Sequence, residues 1–343
     1  MQKLLFFVEQ PYSFPILRPL EAAAKARGIE VRWFLYDLPE SYLMADEQRL
    51  ADTTAVNDYN PDAVICPGNW VPHFWPGHKI QIFHGFGIDK KGHFNIRGFF
   101  DLYCTHGPLT TSRFKTAEPT YGYFRSVETG WPKMDPYAKA VDTRTDITAP
   151  PAVLYAPTFS PSLTSTYALL EPLSELTRAG KADVTVKFHP MMAKDQVTAY
   201  KAALNDHFRV VENTDLLPAL QQADIVLSDT SSVVAESLCI GKPVITLNTL
   251  HPGPYVLNIT DPSELATAIH TCTEHYAERK EAGKAYADQM HPYQDGKSSE
   301  RVLDAIDHHI REGHKGLKKL PFNWLRKRKV ARKMRKYAGH VET

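Results

Sequence analysis

Cysteine is scarce in this chain: there are four in 343 residues, Cys66, Cys104, Cys239 and Cys272, and no two form a CxxC pair. That excludes a disulfide-stapled scaffold and a cysteine-based metal site, and reads as a reduced, cytosolic protein. Long apolar runs are missing as well. No stretch approaches the roughly 18 residues of a membrane-spanning helix. The run at 4–8 is followed at once by Glu9-Gln10-Pro11, so it is too short for a signal-peptide core and predicts a buried strand. Glycine is absent where a dinucleotide fingerprint would need it. The first strand is followed by EQPYSFP, and after Gly85 and Gly87 the next glycine is Gly92, too late for GxGxxG. Nicotinamide and flavin enzymes are thereby excluded. Histidine is plentiful, at 15, but no HxxxH helix or Cys/His cluster occurs. His73, His78 and His84 lie near one another, yet Pro72 and Pro76 break any helical spacing, so neither a metal nor any other cofactor is expected.

Acidic residues are missing from one region only. Eleven of the 40 Lys and Arg fall within 313–341, which holds no Asp or Glu, leaving 29 basic against 39 acidic residues elsewhere. The near-zero net charge therefore combines an acidic body with a basic tail. Its Leu317, Leu320, Phe322, Trp324, Leu325, Val330 and Met334, interleaved with Lys and Arg, suit a helical tail lying in the interface of an anionic membrane. Nucleic acid is not the expected partner, because the body is acidic and no recognition motif is present.

What is present is an alternation of short β-rich runs with longer helical patterns, the signature of parallel sheets joined by crossover helices. Strands are predicted at 4–8, 31–35, 63–66, 80–83 and 102–105, and again at 153–156, 184–188, 209–211, 225–228 and 244–247. Helices are predicted at 17–27, 168–179, 194–204, 216–222, 233–240, 263–287 and 298–311. The polar segment 142–151, DTRTDITAPP, reads as an interdomain linker. The division expected is a Rossmann-like acceptor domain over 1–145, a Rossmann-like nucleotide-donor domain over 151–312 and a membrane-associating tail over 313–343. Ligands of such open α/β sheets bind outside the C-terminal strand ends, in the cleft the two domains would face.

Six segments sit at such ends or beside the linker. In Ser228-Asp229-Thr230-Ser231-Ser232 a strand runs straight into a helix, whose N-terminal amides and dipole suit a phosphate. Helix capping explains Ser231 and Ser232 equally well. Glu236, one turn further, is placed to reach a ribose hydroxyl. Lys187-Phe188-His189-Pro190 closes another strand and offers two groups for a diphosphate. His84-Gly85 closes a third, and an imidazole there has the residue type of a general base. The remaining three are Ala156-Pro157-Thr158-Phe159, Gly130-Trp131-Pro132-Lys133-Met134-Asp135, and Asp295-Gly296-Lys297-Ser298-Ser299-Glu300-Arg301. In the last of these Ser298 or Ser299 is placed to cap a helix whose first turn carries Arg301.

Taken in order, these six segments resemble the CDP-glycerol glycerophosphotransferase family of teichoic-acid primases and polymerases, over roughly residues 80–303. The resemblance implies a GT-B fold with parallel sheets facing a central cleft, and no cofactor beyond the substrate itself. It implies transfer of glycerol phosphate, or a related alditol phosphate, from a CDP-activated donor to a hydroxyl of a cell-surface glycan or lipid-linked acceptor, with release of CMP. It maps the candidate base onto His84 and a donor-phosphate contact onto His189, both counted as catalytic. Donor binding falls to Thr158, Lys187, Ser228, Asp229, Ser231, Ser232, Glu236 and Arg301. Lys187 stands two residues before His189-Pro190, where the family pattern has Arg, and a lysine lacks the planar two-pronged donor of arginine. A cytoplasmic protein held peripherally at the inner face of the membrane is implied. The alternative reading is a GT-B glycosyltransferase using a nucleotide sugar for surface polysaccharide synthesis.

Overall fold

The computed structural model describes residues 1–86, 94–212 and 215–338. It comprises two compact units, Met1–Pro136 together with Asp295–Thr343, and Tyr137–Gln294. This division differs from the one expected from sequence. Residues 137–150 group with the second unit, and the last helix and the basic tail group with the first.

The first unit carries β1 (Lys3–Val8), β2 (Glu30–Leu35), β3 (Ala63–Cys66), β4 (His78–Gln81), β5 (Leu102–Thr105) and β6 (Arg125–Glu128), in the order β2-β1-β3-β4-β5-β6. Every pairing is parallel. Leu4 to Val8 are all fully buried, which is why this strand reads as a continuous apolar run: both sheet faces are covered. Its helices are α1 (Phe14–Ala26), α2 (Thr53–Tyr59), α3 (Pro108–Tyr121), α10 (Ser298–Glu312) and α11 (Trp324–Met334). Helix α1 ends where predicted, with Gly28 just past its C-cap at φ +71°, a conformation glycine enters without steric cost. The core is dominated by aromatic rings, among them Phe7, Phe34, Trp75, Phe83, Tyr103, Phe114 and Phe124.

The second unit repeats the plan with β7 (Ala152–Tyr155), β8 (Asp183–Lys187), β9 (Phe208–Val211), β10 (Ile225–Ser228), β11 (Val244–Leu247) and β12 (Leu257–Ile259), ordered β12-β11-β10-β7-β8-β9 and again parallel. Its helices are α4 (Thr166–Arg178), α5 (Lys194–Ala202), α6 (Leu217–Gln222), α7 (Ser232–Cys239), α8 (Leu265–Glu274) and α9 (Tyr276–Met290). Here the core is largely aliphatic, built from Leu169, Leu173, Val184, Val186, Ile225, Leu227, Ile245 and Ile269.

The segment read as a linker is bolted down. Asp142 accepts hydrogen bonds from Lys242 Nζ (2.7 Å), the Tyr276 hydroxyl (2.9 Å) and the guanidinium of Arg144, while Lys280 Nζ donates to its backbone carbonyl at 2.8 Å. Lys242 is only 3 % exposed, so this is a buried ion network. Burial alone would raise the Asp142 carboxyl, but the bonds from Arg144 and Lys242 outweigh it and hold it far below the usual range.

The basic tail is not a separate body either. Val330 and Met334 are buried in the aromatic core of the first unit, Lys318 N–H donates to Gly122 carbonyl at 2.8 Å, and Lys333 lies 4.2 Å over the Trp70 ring. Phe322, Trp324 and Leu325 remain 80 %, 51 % and 73 % exposed. Among the described residues no helix is long and apolar enough to cross a membrane.

Candidate active site

In the second unit the strand order turns between β7 and β10: the chain runs outward from β7 to β9, then returns to β7's other side. Such a switch point opens a crevice at the C-terminal strand ends. Three of the segments singled out from sequence meet there on neighbouring strands: 156–159 after β7, 187–190 at the end of β8, and 228–232 between β10 and α7.

Their side chains divide into braces and presented groups. Asp229 is fully buried and accepts from Thr158 N–H (2.8 Å), Ser165 N–H (3.0 Å) and the Ser165 hydroxyl (2.9 Å). Burial raises its carboxyl, with these bonds pulling the other way. Ser228 is equally buried and donates to Ala156 carbonyl at 2.7 Å. Both were expected to bind the donor. Their bonds tie the β7 loop to the start of α7. Ser231 is the N-cap of α7, its Oγ accepting from Val233 N–H at 3.4 Å, and both Ser231 and Ser232 are partly exposed. Lys187 is 8 % exposed at the end of β8. His189 is exposed, stacked on Phe159 with ring centroids 4.3 Å apart, and its Nδ1 accepts from Met191 N–H at 3.1 Å. That bond puts the proton of the neutral ring on Nε2, a donor suited to an anionic oxygen. Glu236 is buried and accepts from the Tyr137 hydroxyl at 3.4 Å.

His84 and Arg301 belong to the first unit. Arg301 was grouped with the donor domain, but α10 carries it and it is paired with Asp295. Nor do Ser298 and Ser299 cap that helix with their side chains. The carboxylate of Asp135 does so, accepting from Ser298 N–H at 2.7 Å and Ser299 N–H at 2.8 Å. The Gly130–Asp135 and Asp295–Arg301 segments, 160 positions apart, are thus one structural unit.

His84 follows β4 and is partly exposed. The residue before it, Phe83, sits at φ +59°, a costly conformation for a bulky side chain, and its carbonyl accepts from the Trp131 indole at 3.3 Å. Phe83, Phe86 and Trp131 all pack around the fully buried His106. A strained residue held by such a cluster presents its neighbour in one orientation. The continuation at 87–93 lies outside the described residues.

Two groups at the C-terminal strand ends of this sheet escaped the sequence reading. The Tyr12 ring lies 5.5 Å from that of His84. Glu9 immediately follows β1, at this sheet's own switch point between β1 and β3, and accepts from the Trp70 indole. Burial raises its carboxyl to about 7 against the pull of Trp70, Lys333 and Arg97. A Cβ on Gly68 would come within 2.1 Å of Glu9 Oε2, so glycine is needed there for close approach. Glu9 stood in view only as the residue ending an apolar run; its partners are some 60 to 320 positions away.

Two α/β units of six parallel strands, each with polar groups at its strand ends, define a GT-B enzyme. The chain matches the family model for CDP-glycerol:poly(glycerophosphate) glycerophosphotransferase over residues 100–308, and it belongs to that family. It is 24 % identical over 270 residues to the teichoic acid glycerol-phosphate primase of Bacillus subtilis, covering 67 % of this chain and 68 % of that protein. The wall teichoic acid polymerase TagF superimposes with a TM-score of 0.64 at 16 % identity, over 90 % of this chain and 89 % of that one. A UDP-GlcNAc 2-epimerase from Neisseria meningitidis shares the fold at 13 % identity and a TM-score of 0.62, over 90 % and 100 %. The activity is that of a glycerophosphotransferase using a CDP-activated donor.

Proposed function

We propose that the second unit binds the CDP-activated donor at its switch point and that His84 of the first unit takes the proton of the acceptor hydroxyl. The observation that carries this is the convergence of Ser231, Ser232, Lys187 and His189 on the adjacent ends of β10, β7 and β8. The amides opening α7, the Lys187 ammonium and His189 Nε2–H are all donors, matched to a diphosphate. In the reaction the acceptor oxygen forms a bond to the phosphorus of glycerol phosphate, and the bond to the bridging oxygen breaks. CMP leaves with the electron pair, and the hydroxyl proton passes to the His84 imidazole. Positioning and charge stabilisation supply most of the acceleration in such transfers.

The acceptor is inferred to be a glycan or lipid-linked chain at the inner face of the membrane. Phe322, Trp324 and Leu325 project from the tail next to the exposed Arg326, Arg328 and Lys329. Apolar anchors ringed by cations fit the interface of an anionic leaflet.

The test is CMP release from CDP-glycerol. His84→Ala should lose transfer by at least about 100-fold, as removal of a general base does, with donor affinity by calorimetry unchanged. Ser231→Ala with Ser232→Ala should weaken donor binding instead. Unchanged turnover in the first variant removes the base assignment, and release of a nucleoside diphosphate from a sugar donor would turn the reading to glycosyl transfer.

A further inference from the structure

The opposite end of the first unit's sheet, where the strands begin, holds a side-chain cluster with no part in the chemistry above. His78 opens β4 and Asp101 directly precedes β5. His314 lies in the loop after α10. One ring nitrogen of each histidine and a carboxylate oxygen of Asp101 all lie within 4.8 Å of one another. The two imidazoles are stacked at 5.3 Å, and His314 Nε2 is 3.6 Å from Asp101 Oδ1. We propose that His78, Asp101 and His314 form a binding site for a divalent first-row cation, zinc by preference.

Three observations support the site. Asp101 is 4 % exposed, and its two oxygens are used differently: Oδ2 accepts from Lys79 N–H at 2.7 Å, whereas Oδ1, facing His314, has no hydrogen-bond donor among the described residues. His78 Nδ1 is likewise buried without a hydrogen-bond partner among them. A buried carboxylate oxygen beside ring nitrogens without donors is what a cation satisfies.

Secondly, the loop bearing His314 is held in place beforehand. The Arg125 guanidinium donates to Gly313 and Lys315 carbonyls, each at 2.7 Å, and to His309 Nδ1 at 3.3 Å. His309 in turn packs edge-on against His78 at 4.9 Å. Because the arginine is always a donor, the neutral His309 carries its proton on Nε2. With Nδ1 taken by Arg125 and a proton on Nε2, His309 packs against His78 and is not itself a ligand.

Thirdly, the donor set is two imidazoles and one carboxylate, which suits zinc and its neighbours and not the oxygen-seeking calcium or magnesium. Zinc bonds of about 2.0–2.2 Å require ligand atoms closer than 4.8 Å. The side chain of His314, 59 % exposed on a surface loop, is free to supply that contraction. With water at a fourth position, the metal would fasten the start of the basic tail to the foot of the sheet.

The full-length chain, stripped with chelator, is titrated with zinc by calorimetry and with cobalt by visible absorption. One equivalent per chain with the intense bands of tetrahedral cobalt is expected. His314→Ala, on an exposed loop, should fold normally and lose affinity by more than about 100-fold, since even second-layer changes cost 10–100-fold. Arg125→Ala should lose about tenfold while keeping all three ligands. His270→Ala, exposed and in the other unit, should change nothing. Absence of stoichiometric uptake by the native chain, or uptake that survives His314→Ala and His78→Ala together, overturns the proposal.

Discussion

The two units share one plan, six parallel strands and a switch point, yet they hold their site residues by different means. In the second, short polar clamps do it: Asp229 takes up the β7 loop, and the buried Asp142–Lys242 network anchors the segment leading into β7. In the first, packing does it. A strained Phe83, the Trp131 indole and the His106 ring set His84, while Glu9 is half-buried against Trp70 with a tail lysine nearby. Asp229 is visible because it lies inside the motif at 228–232, although its partners Thr158 and Ser165 are 71 and 64 positions away. The rings that set His84 do not lie within one motif.

The largest effect that separates the two strategies is expected from Asp142→Asn. It leaves the Lys242 ammonium buried with its charge uncompensated, at a cost of roughly 3–5 kcal/mol. Hydrogen exchange should report that loss across residues 137–294. The wild-type network should also fail in strong acid: the Asp142 carboxyl sits below its unfolded value, so its stabilisation is complete above about pH 4 and disappears as pH falls through the folded value. Unchanged protection in the variant would show that the polar network contributes nothing to the second unit.

A smaller effect of opposite sign is expected in the first unit. Folded Glu9 titrates at about 7 and an unfolded glutamate near 4.5, so between those values the folded chain holds a proton that the unfolded chain has lost. Stability should therefore fall as pH rises from about 4.5 to 7, by at most about 3 kcal/mol. Glu9→Gln should remove that part of the slope in melting curves recorded between pH 4.5 and 8. A variant that keeps the wild-type slope would place the titration elsewhere.

Least costly to folding, and most telling for localisation, is replacement of Phe322, Trp324 and Leu325 by serine. All three are exposed, so stability should change by less than about 0.5 kcal/mol. Sedimentation with anionic vesicles should nonetheless be lost. Retained binding would assign the membrane surface to other residues.

The alternation of strands and helices was legible over most of the chain, with the strands β6 and β12 and the helices α2 and α3 missed. β12 has three residues, and β6, Arg-Ser-Val-Glu, carries a single fully buried side chain, too few for a visible pattern. The predicted helix at 263–287 is broken at His275 into α8 and α9. The predicted linker misled because its polarity is the same whether Asp142 faces water or a buried Lys242. The tail misled for a related reason. Val330 and Met334 look like the other apolar residues around them, and only the open aromatic core of the first unit selects those two for burial.

Local rules were enough to place the strands, to put Ser231, His189 and His84 at strand ends, and to order six segments into one family pattern. Each depends on neighbours a few positions away, where backbone geometry fixes the spacing. The Asp135 cap on α10, the raised Glu9 carboxyl, and the meeting of His78, Asp101 and His314 belong to the tertiary structure. They arise from contact and desolvation between segments up to some 320 positions apart, for which no periodicity along the chain exists.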